Sequence, residues 1–250
     1  MGSNRLPGKV LEKICENPML DWVVSRAGQA SLVSKVLVAT TTDASDDLIA
    51  SWCTENHVHC YRGAVLDVLD RFYQAASSAQ ADIVVRLTAD CPLIDPAVID
   101  DVITLLIDSG ADFSANRLPP PYHRTFPIGL DVEVVSFSAL ERAWQEADQP
   151  FEREHVLPYL YEEKGRFKVE IIDAPRDLGD LRWTVDTPED LEFIRTLMAQ
   201  LKCDRQLSWL QILAYIENHP ELARINASVQ HKSYTDVDHR NHQGPEDDHA

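Results

Sequence analysis

The sequence is short of positive charge. Over 250 residues, 23 lysines and arginines face 41 aspartates and glutamates, a formal net charge of −18. Such a chain is repelled by nucleic acid and by anionic membrane, which excludes general affinity for either, so any phosphate must be held by local cations. No apolar run reaches roughly 18 residues, and the N-terminus lacks the pattern of a secretory signal. The expectation is a soluble cytoplasmic protein with no membrane partner. There is no CxxC pair and no close Cys/His cluster of zinc spacing. The five cysteines, Cys15, Cys53, Cys60, Cys91 and Cys203, are an odd number and are expected to be reduced thiols. A Walker A loop is also lacking: five residues, not four, separate Gly2 from Gly8-Lys9, and Val10 follows where Ser or Thr is needed.

What is present begins with that same stretch, Gly2-Ser3-Asn4-Arg5-Leu6-Pro7-Gly8-Lys9. Two glycines, a proline and two cations four apart describe a backbone able to curl around an anion. Taken alone it is equally a flexible basic terminus. With 44% hydrophobic residues the chain can bury a sizeable core, and one large domain is expected over residues 1–225. Apolar strands at 35–40, 57–61 and 82–87 alternate with helical patterns from 48, 67 and 96. That order predicts an α/β sheet with ligands at the carboxyl ends of its strands. Further strands are expected at 112–115, 129–135 and 167–172, helices at 137–147, 151–162, 188–201 and 208–218, and a stiff extended loop over the prolines at 119–121. Asp95-Pro96 and Thr187-Pro188 with Asp190 read as helix starts. Residues 226–250 are polar and read as a disordered tail.

Asp90 and Asp186 each follow a predicted strand in a tight loop near proline. Brought to one sheet edge, two carboxylates suit a magnesium ion, which takes oxygen ligands, waters and substrate phosphates. The alternative for Asp186 is a helix start, whereas beside Asp90 the capping position is already filled by Asp95. Arg124, Asp131, Glu133, Arg153, Glu154 and His155 form a second polar set, able to line a pocket for a hydroxylated anionic substrate or to be a solvated face. His57 and His59 read as structural.

Seven ordered segments carry a resemblance: Gly2-Ser-x-Arg-Leu-Pro-Gly-Lys9, Val38-Ala-Thr-Thr-Thr42, Arg62-Gly with Asp67-Val-Leu-Asp-Arg71, Arg86-Leu-Thr-Ala-Asp90-Cys-Pro-Leu-Ile-Asp95, Gly129-Leu-Asp-Val-Glu133, Glu152-Arg-Glu-His155 and Arg182-Trp-Thr-Val-Asp-Thr-Pro-Glu-Asp190. Together they resemble the cytidylyltransferase-like family of the spore coat polysaccharide biosynthesis protein SpsF, related to CMP-KDO synthetase and acylneuraminate cytidylyltransferase. The resemblance implies a nucleotide-diphospho-sugar transferase (Rossmann-like) fold: a mixed, mostly parallel sheet sandwiched by helices, with a small arm often used for homodimerisation. It also implies magnesium-dependent transfer of CMP from CTP to a sugar acid. Arg5 and Lys9 would hold the triphosphate within the Gly2-Ser3 loop, and Asp90 and Asp186 would hold the metal. Arg62, Arg71 and Arg86 would add substrate contacts, and Arg124, Asp131, Glu133, Arg153, Glu154 and His155 would shape the acceptor pocket. In that family a first strand precedes the loop, so a gap in the sheet is expected here. The gap keeps a non-catalytic nucleotide-binding paralogue in view, and a further alternative is a glycosyltransferase on the same fold, which would use the metal to hold a nucleotide-sugar.

Overall fold

The computed structural model describes residues 2–3, 5–118 and 124–229. The proline run at 119–121 and the tail from 230 lie outside them. A hairpin of β1 (Lys13–Ile14) and β2 (Asn17–Pro18) leads into α1 (Met19–Ala27). Then come β3 (Leu37–Thr41), α2 (Asp47–Glu55), β4 (His59–Gly63), α3 (Val68–Ala79), β5 (Ile83–Arg86), α4 (Pro96–Ser109) and β6 (Phe113–Ala115). The second half runs β7 (Glu133–Ser136), α5 (Phe137–Glu146), α6 (Pro150–His155), α7 (Pro158–Tyr161), β8 (Val169–Ile171), α8 (Pro188–Gln200) and α9 (Trp209–Asn218).

Helix starts follow local chemistry. Asp95 accepts from the Ala97 and Val98 amides at 2.9 and 3.4 Å, Pro96 opens α4, and the helix stops at Gly110 with φ 62°. Thr187 and Asp190 cap α8 reciprocally. The helix expected over 151–162 is instead two short ones. Pro158 disfavours a helical residue before it, and Val156, at φ 75°, breaks the turn. The strand expected over 129–135 narrows to Glu133–Ser136.

β3 and β4 pair in parallel, and a second sheet has the order β5-β7-β6-β8. There β7 is antiparallel to both neighbours and β8 is parallel to β6, which makes the architecture α/β with a mixed sheet. Among the described residues the β3–β4 pair and the β5-β7-β6-β8 sheet are separate hydrogen-bonded units. Side chains bridge them. Leu20 of α1 packs with Ile49, Cys53 and Val38 around the β3–β4 pair. Met19, Trp22 and Val23 of the same helix join the main core with Ile83, Val85, Ile99 and Val134. Among the described residues no helix is long and apolar enough to cross a membrane.

One further expectation changes. Cys15 and Cys203 are not reduced thiols but a disulfide, with Cα atoms 6.3 Å apart across 188 residues of sequence. Tertiary packing, which places the β1–β2 turn beside the end of α8, creates a pairing that sequence spacing cannot show. Next to the boundary expected at 225, Asn226 is buried and donates to the Arg182 carbonyl at 3.1 Å and to Asp190 at 2.9 Å.

Candidate functional site

The N-terminal loop curls as its composition suggests. Ser3 Oγ accepts from the Leu6 amide at 3.3 Å, Gly8 takes φ 72°, and a single 3-10 turn, Lys9–Leu11, follows. This turn aims Lys9 inward. Its ammonium donates at 2.8 Å to Asp90, to Asp186 and to the Val185 carbonyl. The two aspartates, 96 residues apart in sequence, meet because their loops are stitched together. The Val185 amide donates to the Asp90 carbonyl at 2.8 Å and the Thr184 hydroxyl to the same oxygen at 3.1 Å.

Asp186 is surrounded by cations: Lys9, then Arg5 at 3.0 Å and Arg182 at 2.7 Å. Arg182 is held in turn by Asp190 at 2.9 Å. Burial alone would raise the Asp186 pKa, but Lys9, Arg182 and Arg5 overcome it and hold the carboxyl at about 2. Burial likewise opposes the charge on Lys9, and the two aspartates outweigh it, raising its pKa. Burial pushes the Cys91 thiol well up, with Asp90 and Asp131 adding to the effect.

Among the described residues no group of three or more His, Cys, Asp or Glu is placed to hold a metal ion. Two carboxylates that already bracket a cation do fit an oxygen-seeking divalent ion whose remaining ligands are water and phosphate. The loop's two cations, withdrawn from these carboxylates, are equally suited to a polyphosphate.

The second polar set assembles at the start of β7. Arg86 and Glu133 are cross-strand partners joined by an ion pair, and Arg124 forks onto Asp131. Gly129 lets this loop press against Trp183 and Thr184, the segment leading to Asp186. Other expected residues have structural partners. Arg153 grips Asp67, the cap of α3, and the Trp144 carbonyl at 2.7 Å. Glu154 and His155 end α6, which packs on α3. Arg62 donates to the Thr41 and Asp43 carbonyls and pairs with Asp47 at 2.8 Å, while Arg71 donates to the Ala64 and Val65 carbonyls. Both brace loops beyond β3 and β4. Arg182 and Arg117 were not singled out from sequence. Arg182 has one signal, its spacing of four and eight from Asp186 and Asp190; Arg117 has none.

The profile of the cytidylyltransferase family matches residues 1–231. The chain is 30% identical to the spore coat polysaccharide biosynthesis protein SpsF of Bacillus subtilis, over 89% of this chain and 93% of that protein. It is 28% identical to 3-deoxy-manno-octulosonate cytidylyltransferase of Solibacter usitatus, over 78% of this chain and 90% of that one. A solved cytidylyltransferase from Leptospira borgpetersenii superposes with a TM-score of 0.84 at 32% identity, covering 92% of this chain and 95% of its own. Matched over nearly its whole length by family profile, sequence and fold, the chain belongs to the cytidylyltransferase family and is a nucleotidyltransferase.

Proposed function

We propose that this protein transfers CMP from CTP to a hydroxyl of a sugar acid and releases pyrophosphate. The carrying observation is Lys9, whose ammonium spans Asp90 and Asp186 at the mouth of a loop that also presents Arg5. In this reading the acceptor hydroxyl attacks the α-phosphorus in line. The new P–O bond forms as the bond to the bridging oxygen of the β-phosphate breaks, the pyrophosphate carries away the electron pair, and the hydroxyl proton passes to solvent. Arg5 and Lys9 exchange their carboxylate partners for phosphate oxygens and stabilise the charge growing on the leaving group. Asp90 and Asp186 would hold magnesium, which supplies neutralisation of phosphate charge when bound. Of the expected acceptor residues, Arg124, Asp131 and Glu133 support this reading: with Arg86 they cluster where β5 ends and β7 begins, and the chain leaving β5 leads to Asp90.

Pyrophosphate release with CTP, UTP, ATP or GTP, a panel of sugar acids and magnesium tests this reading. The expected result is release from CTP that requires both the acid and the metal and stops with EDTA. Free nucleotide released from a nucleotide-sugar donor, with no pyrophosphate from any of the triphosphates, would instead indicate glycosyl transfer, and no release across the panel would remove the assignment.

A further inference from the structure

Three guanidinium groups, Arg86, Arg117 and Arg124, share the acceptor end of the sheet with two carboxylates, Asp131 and Glu133. Arg124 is forked onto Asp131 and Arg86 is bonded to Glu133. Each of those two cations has its own carboxylate, and Arg117 is the third. It lies 3.4 Å from Asp131 and 3.9 Å from Glu133, close enough for attraction, yet its buried Nε has no hydrogen-bond partner among the described residues. Its side chain is only 16% exposed. A largely buried arginine carries five N–H donors that ordinarily find acceptors, and donors left over in such a place mark a missing partner.

The position is informative. Arg117 follows β6 and forms a backbone bridge with Arg124. Gly129, two residues before Asp131, presses this loop against Trp183 and Thr184, the segment that leads to Asp186, and Arg86 ends the strand that leads to Asp90. The extra positive charge therefore lies on loops that adjoin those bearing Asp90 and Asp186, in a chain that is otherwise strongly acidic. A planar carboxylate matches the two-pronged donor edge of a guanidinium.

We propose that Arg117 is the receptor for the acceptor's carboxylate, the side chain by which this protein tells an acidic sugar from a neutral one. The proposal rests on the sugar-acid reading above and narrows it. Arg86 and Arg124 act as positioning residues that occupy Glu133 and Asp131 and so leave the Arg117 donors for substrate.

Calorimetry tests it with 3-deoxy-manno-octulosonate and N-acetylneuraminate, each as the free acid and as the neutral methyl ester, with a non-reacting CTP analogue present. Wild type is expected to bind at least one acid about tenfold to a hundredfold more tightly than its ester, the range for charge-assisted hydrogen bonds. Arg117→Met should lose most of that preference with unchanged affinity for the CTP analogue, and Arg117→Lys, which keeps the charge and guards against misfolding in the first variant, should retain only part of it. Equal binding of acid and ester by wild type, binding of neither, or full discrimination in both folded variants would overturn the proposal. Acid preference without pyrophosphate release from CTP would leave Arg117 as a carboxylate receptor and remove the nucleotidyl-transfer reading instead.

Discussion

Gly129 has φ 107°, and a Cβ there would lie 2.6 Å from the Thr184 nitrogen and 2.7 Å from the Trp183 carbonyl carbon. Backbone cannot swing aside as a long side chain can. Gly129→Ala should therefore lower stability by about 1–3 kcal/mol and displace the segment that delivers Asp186. Urea unfolding and turnover measured on one preparation should fall together, and unchanged values would refute the contact. Asp186 makes a second prediction at this scale. Its folded pKa of about 2 lies below its ordinary 3.8, so its contribution is present above pH 4 and is lost as the pH falls toward 2. The size is about 2 kcal/mol, to be read from the acid limb of stability in wild type against Asp186→Asn. Asp90 and Asp186 were legible because each stands in a distinctive loop after an apolar run. Arg117 was not, since a buried Nε without an acceptor among the described residues is something only three-dimensional packing reveals.

Capped helices were the most legible elements. Asp67, Asp95, Thr187 and Ser208 announce α3, α4, α8 and α9 with side chains that accept from the first turn. No such signal precedes α1, where Pro18 offers no side-chain bond. Its placement depends on Arg26, fully buried, which donates to the carbonyls of Ile94, Arg205 and Leu207 and lies 3.6 Å from Asp95. Asp95 in turn caps α4 and accepts from the Trp209 amide at 2.7 Å. One ion pair thus fastens α1, α4 and α9 together. Arg26→Met removes one partner from a buried pair and should destabilise by about 3–5 kcal/mol. Thermal unfolding checks it, and a loss below about 1 kcal/mol would mean that the pair does not organise these helices. Short elements such as α6 and α7 escape periodicity altogether, because neither is long enough to display a face.

At the scale of the molecule, alternation of strands and helices predicted an α/β fold, whereas the division into two sheets and the antiparallel course of β7 depend on long-range pairing. The Cys15–Cys203 bridge is equally non-local, and it ties the segment after the N-terminal loop to the end of the helix that begins beside Asp186. Reduction, or Cys203→Ser, should lower stability by about 2–4 kcal/mol by freeing a long loop in the unfolded chain. Melting with and without dithiothreitol measures this, and identical curves would show that the bridge adds nothing. The account's central claim is that Lys9, Asp90 and Asp186 act as one nucleotidyl-transfer centre. Its most direct test follows transfer of α-labelled phosphate from CTP to a sugar acid by wild type, Lys9→Met, Asp90→Asn and Asp186→Asn, each shown to be folded. The account predicts a loss of about a hundredfold or more in kcat for every variant, and transfer at the wild-type rate in any of them would contradict it.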